Sequence, residues 1–195
     1  MIKIGGASLF HSKGFESDLR DLLAEYAQAQ IWMLVGGGDL VEAIRTANTI
    51  YPKLNAEEVH WRCVGLLDHT WELAKEIFPT CDSIATREEL QRFSIQRNQI
   101  GLYWVRVQSF YSRSELATIP KSWRPESNWN TTTDVLAWLL AKRIDAERIV
   151  LMKQCECDPS WSLEEAARLG VVDSELARLA VLNGGKPQVR LVASK

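Results

Sequence analysis

No Cys-x-x-Cys pair occurs in this sequence, which excludes a zinc ribbon and a thioredoxin-like redox motif. The four cysteines, Cys63, Cys81, Cys155 and Cys157, read as free thiols of a reducing compartment. Cys155 and Cys157 are two apart and would share one face of a strand; a metal site built from them and the histidines is a further reading. No apolar run approaches the roughly 18 residues of a membrane span. No basic tail or patch disturbs a near-neutral balance of 23 Lys+Arg against 25 Asp+Glu. The first residues carry a strand pattern with a single lysine, not a signal peptide. Neither nucleic acid nor membrane is therefore an expected partner, and a soluble cytoplasmic protein is the expectation. The sequence has no G-K-[ST], hence no Walker loop, and it lacks the G-x-G-x-x-G spacing of the dinucleotide fingerprint. With no repeat, linker or low-complexity tract, the 195 residues read as one domain, 1–195.

What is present is an alternation of short apolar runs with helical patterns. Residues 2–4 and Ile31 to Val35 are continuous apolar runs, each followed by glycine. Helical spacing of apolar residues follows both: Phe15, Leu19, Leu22, Leu23 and Tyr26 after the first, and Leu40, Val41, Ile44 and Ala47 after the second. Such runs imply strands covered on both faces, so the expected fold is α/β, a three-layer α/β/α sandwich with a mainly parallel central sheet. Capping signals open further helices at Asn55/Glu58, Thr86/Glu89, Ser112/Glu115 and Ser162/Glu165, and Asp173 reads as the cap of a last helix through Leu182. Leu102 to Val107 and Gln188 to Ala193 read as strands, and residues 118–133 as a long surface loop. Eight tryptophans are many for this length. Trp32, Trp61, Trp71 and Trp138 are placed in core or dimer contacts. His60 and His69 are nine apart on one helix and do not share the i, i+4 geometry of a metal pair.

The stretch from Asn128 to Lys153 carries the chemistry. Thr131, Thr132 and Thr133 lead into Asp134 at a helix start, and the strand Ile149 to Met152 delivers Lys153. At the other end of the chain a strand carries Lys3 and breaks into Gly5-Gly6. Lysines on strands meet the main demand of phosphoryl transfer, positive charge on oxygens that gain negative charge. Gly5, Gly6, Gly36, Gly37 and Gly38 would add backbone N–H donors at helix starts. Asp134 would order the two lysines or contact Mg²⁺. The plain alternative makes Asp134 only a helix cap, Lys153 an exposed lysine and Gly36 to Gly38 a bare turn.

These motifs resemble those of the amino acid kinase superfamily, which includes acetylglutamate, aspartate, carbamate, uridylate and isopentenyl phosphate kinases. The matching pieces are K-I-G-G-A-S at the start, G-G-G-D at 36–39, T-T-D-V-L-A at 132–137 and I-V-L-M-K at 149–153, in order along nearly the whole chain. Within that group the sequence is most similar to the small kinases of methanofuran biosynthesis, whose S-W-D-V-T-S-D-S pattern is met by Trp129, Thr132 and Asp134. The helix end LGVVDSELA also resembles that subgroup. The resemblance implies ATP and Mg²⁺ as cofactors, with the metal held through the nucleotide, and a homodimer. It implies (5-(aminomethyl)furan-3-yl)methyl phosphate, or a related small phosphorylated compound, as acceptor. Lys3, Asp134 and Lys153 take the catalytic roles; Gly5, Gly6, Ser8, Gly36, Gly37 and Gly38 hold phosphates; Asp39, Trp129, Asn130, Thr132 and Thr133 hold the acceptor. Two departures stand out. Asn130 replaces an aspartate, and Gln154 to Asp158 reads QCECD where the family continues into a V-D-G turn. A non-catalytic, ligand-binding homologue is the alternative.

Overall fold

In the computed structural model, which describes residues 1–96 and 99–194, six parallel strands form one sheet with helices on both faces. The strands are β1 (Ile2–Ile4), β2 (Gln30–Val35), β3 (Asp82–Ile84), β4 (Gly101–Val105), β5 (Arg148–Lys153) and β6 (Gln188–Ala193), in the order β3-β4-β2-β1-β5-β6. Every pairing is parallel, which explains why the central strands read as unbroken apolar runs: both faces are buried. The expected sandwich is what the chain forms. The three-residue edge strand β3, DSI, has no apolar run to betray it.

Side-chain alternation divides the core into two. Ile2, Ile4, Met33, Val35, Val150 and Met152 face the layer that holds α2 (Phe15–Ala24), through Phe15, Leu19 and Leu22. Leu34 and Leu151 face the opposite layer, dominated by α7 (Thr133–Arg143). Residues Asp134 through Ala141 of α7 are all buried, and a helix apolar on every side belongs between layers rather than at a surface. The long α4 (Ala56–Ile77) contributes to both clusters, with Val64 and Leu67 in one and Trp71 and Ala74 in the other. Trp32, Trp71 and Trp138 lie in the core and Trp61 packs partly buried against it.

Helix starts follow the capping signals. Asn55 accepts from the Glu58 N–H at the head of α4. Thr86 and Glu89 close a reciprocal capping box on α5 (Arg87–Ile95). Ser112 and Ser162 accept from the Glu115 and Glu165 N–H groups at the heads of α6 (Arg113–Leu116) and α8 (Leu163–Arg168). Where the sequence suggests a glycine turn at residues 5–7, only Gly5 turns. Gly6 already opens a short helix, α1 (Gly6–His11).

The topology places a site. From β1 the chain winds outward through β2, then returns to the other side of β1 as β5. At such a reversal the connections leave β1 and β5 to different sides, opening a crevice at the carboxyl ends of the strands. The N-terminal ends of α7, of α3 (Asp39–Ile50) and of α9 (Ser174–Leu182) border the same pocket.

Candidate active site

Lys3 and Lys153 stand on the two strands that flank the crevice. Lys3 pairs in register with Leu34 and Leu151, so its side chain shares their face and points at α7 rather than into the apolar layer beneath. Lys153, two residues beyond Leu151, points the same way from the end of β5. Asp134, in the first turn of α7, lies between them. Its Oδ1 is 2.8 Å from Lys3 Nζ, and its Oδ2 accepts a hydrogen bond from Lys153. Lys3 is 6% exposed and Asp134 2%, so the pair is effectively out of water. Burial alone would raise the Asp134 carboxyl, but the two ammonium groups outweigh it and hold it below the usual aspartate value. Burial lowers Lys3, an effect Asp134 opposes and Lys153 reinforces. Buried ion clusters contribute little net stability, because desolvation offsets most of the attraction. This one is better explained by chemistry than by folding.

The N-cap of α7 extends the cluster. Thr132 Oγ1 accepts from the Asp134 N–H at 3.2 Å and donates its own proton to Asp173 Oδ2. Asp173 was the residue sequence reasoning passed over as a helix cap. It occupies the N-cap position of α9 but makes no side-chain cap bond; its carboxylate is turned into the site instead. Burial, then the charge of Asp134, pushes its carboxyl up. The capping pattern and the site pattern of an aspartate at a helix start are the same in sequence, so only the neighbour Gly170-Val171-Val172, which also lines the crevice, distinguishes it.

The crevice is a cavity of about 290 Å³. Its reaction end holds Lys3, Lys153, Asp134 and Asp173. Gly6, Gly37, Gly38 and the start of α7 close one wall. The two glycine turns are pressed together: a Cβ on Gly6 would come within 2.0 Å of the Gly38 nitrogen, and Gly38 has φ +51°. Only glycine fits both places. Val41, Leu67, Trp129, His60 and Arg45 also line the cavity. Arg45 was not foreseen; its guanidinium sits 5.4 Å from the Trp129 ring centre and 3.0 Å from Glu42. His60 is locked, with Nε2 2.9 Å from the Tyr111 hydroxyl and Nδ1 3.2 Å from the Asn128 carbonyl, and burial lowers its pKa.

Several expected site residues are already engaged or stand elsewhere, while Gly36 lines the cavity. Gly5 cannot offer its N–H to a phosphate, because that group donates to the Met152 carbonyl at 3.0 Å; the Gly36 N–H is spent likewise on Ile4 at 2.9 Å. Both continue the sheet ladder, which a sequence does not display. Ser8 turns away, its hydroxyl 3.0 Å from that of Ser194. Asp39 is bonded to His11 at 2.9 Å, outside the cavity. Asn130 is exposed and does not line the cavity. Asp134 turns one oxygen towards each lysine. Thr132, Thr133 and Trp129 do line the cavity. Among the described residues no group of three or more His, Cys, Asp or Glu is placed to hold a metal ion. Cys157 instead donates weakly to the Cys155 carbonyl, and burial together with Cys155 pushes its thiol up to about 11. A larger depression of about 850 Å³ at the other end of the strands is lined by no glycine and no helix start.

No protein-family model matches the chain, and no curated protein sequence does. Solved structures do match. A uridylate kinase from Archaeoglobus fulgidus superposes with a TM-score of 0.59 over 100% of this chain and 91% of that one, at 14% identity. A UMP kinase from Bacillus anthracis gives 0.62 over 98% and 85%, at 10% identity. The fold is that of the amino acid kinases. At these identities the likeness is one of fold, and in this chain the fold carries Lys3, Lys153 and Asp134 to a single point. Among the described residues no helix is long and apolar enough to cross a membrane.

Proposed function

We propose that the protein is an ATP- and Mg²⁺-dependent kinase that transfers a phosphoryl group to a small phosphorylated acceptor. The acceptor we favour is (5-(aminomethyl)furan-3-yl)methyl phosphate, in methanofuran-type cofactor biosynthesis. The observation that carries the reading is the bridging of Lys3 and Lys153 by the buried Asp134 carboxylate at the strand reversal. Two fixed ammonium groups over one anion lower the charge on oxygens moving from donor to acceptor. The chain has little covalent work to do; positioning and charge suffice. The Gly37–Gly38 turn and the start of α7 line the cavity, and helix starts of this kind suit phosphate oxygens. Trp129 and Arg45 offer a ring face and a cation at the acceptor end, which suits a flat anionic compound. Bound magnesium would neutralise further phosphate charge.

The reading is tested by ADP release from Mg-ATP with the furan phosphate and related phosphorylated acceptors. Turnover is expected, and Lys3→Ala should reduce it about 10²- to 10³-fold. Absence of ADP release with every acceptor would count against the reaction. A second reading, a ligand-binding homologue without catalysis, is favoured by the segment Gln154 to Asp158, which has no glycine to approach a nucleotide. Calorimetric titration with Mg-ATP separates the two, since that homologue would show no nucleotide heat. We place the protein as a homodimer joined through the edge of its sheet, to be checked by light scattering.

A further inference from the structure

Among the described residues, one carboxylate of the centre is in no direct ion pair. Asp134 is neutralised twice, by Lys3 and Lys153. The other carboxylate lining the crevice, Glu42, is engaged with Arg45 at 3.0 Å. Asp173 has only the neutral hydroxyl of Thr132, on Oδ2. Among the described residues that is the side-chain hydrogen bond Asp173 makes, and the residue lines the cavity. Asp173 also lies within electrostatic reach of Lys3, Lys153 and Asp134. A triphosphate entering here would meet a carboxylate among its own oxygens. Two lysines and two carboxylates sum to zero, so the centre offers the polyanion no net positive charge. A divalent cation resolves the conflict. Magnesium is commonly held by one or two carboxylates together with substrate phosphates.

We propose that Asp173 is the protein's ligand for the divalent cation that accompanies the nucleotide, and that Thr132 holds its carboxylate in that direction. This rests on the nucleotide reading above. It gives the two aspartates separate duties: Asp134 orders the lysines and Asp173 receives the metal. The threonine between them donates to one carboxylate and accepts from the backbone of the other, which fixes the spacing of ammonium groups and cation across the phosphates.

The test is calorimetric titration of the full chain with the non-hydrolysable analogue AMP-PNP, once with Mg²⁺ and once with EDTA. In the wild type Mg²⁺ should tighten binding by about tenfold or more. In Asp173→Asn, whose amide oxygen can still accept from Thr132, that gain should vanish. Metal-free AMP-PNP should bind this variant more tightly than the wild type, because a repelling charge is gone. A merely structural lesion would weaken both forms together. Asp173→Glu should recover part of the gain, and Thr132→Val, which keeps the carboxylate, most of it. An equal gain from Mg²⁺ in wild type and Asp173→Asn, or no gain in the wild type, overturns the metal assignment while leaving nucleotide binding intact. No binding of either form to the wild type overturns the nucleotide reading itself, and the assignment with it.

Discussion

Asp134 is the residue on which the most depends, and its environment fixes how it should respond to pH. Its native carboxyl ionises below the range of an unfolded aspartate because two ammonium groups outweigh its burial. The stability it contributes is therefore complete above about pH 4 and lost as pH falls through the native value. Asp134→Asn should lower stability by about 3–5 kcal/mol at pH 7, since it strands buried positive charge. The gap between variant and wild type should narrow as pH falls below the unfolded aspartate range. Urea denaturation midpoints along a pH series check this; a constant gap would mean the carboxylate is not ionised in the native state. Lys153→Ala should leave more of the fold intact than Lys3→Ala, because Lys153 is only partly buried, while turnover falls about 10²-fold or more in both.

At the scale of elements, the two glycine turns make opposite predictions for the same substitution. Gly6→Ala would drive a methyl group into the Gly38 backbone. The turn after β1 and the turn after β2 must then separate, and a loss of about 3 kcal/mol or more is expected in thermal or urea unfolding. Gly65→Ala, inside α4 where nothing lies within 4 Å of the added carbon, should instead stabilise by about 0.5–1 kcal/mol. The contrast also marks what could be read in advance. The bounds of α4, α7, β2 and β5 were legible because apolar spacing and caps such as Asn55 and Thr86 state them locally. Lys3, Asp134 and Lys153 were legible as a set because each sits beside a glycine turn, a helix start or a strand end. What could not be read were consequences of pairing. The N–H groups of Gly5 and Gly36 are consumed by neighbouring strands, and Asp39 and Asn130 point out of a cavity that exists only once α3 and the 118–133 segment have packed. Asp173 was hidden for a subtler reason: an aspartate before a helix satisfies the capping rule so well that nothing local suggests a different partner.

For the molecule as a whole, the two apolar layers share β2, β4, β5 and α4, and neither can be lost without exposing the other. Unfolding is expected as a single transition, with far-ultraviolet circular dichroism and tryptophan emission changing together. Two separated midpoints would show that the layers melt independently. Occupation of the crevice by nucleotide should act on that same transition. At one hundred times its dissociation constant a ligand adds about 2.7 kcal/mol, which for a chain of this size is a rise of roughly 5–10 °C in Tm.

Trp129 gives the molecule an optical reporter of its own. It is the one tryptophan lining the cavity among the described residues, and the Arg45 guanidinium over its ring already biases the excited state. A compound that slides against the indole, or draws Arg45 away, should change emission intensity and wavelength. The tryptophans sunk in the core would contribute a constant background. A dye-free screen of candidate acceptors thus becomes practical, with Trp129→Phe as the blank.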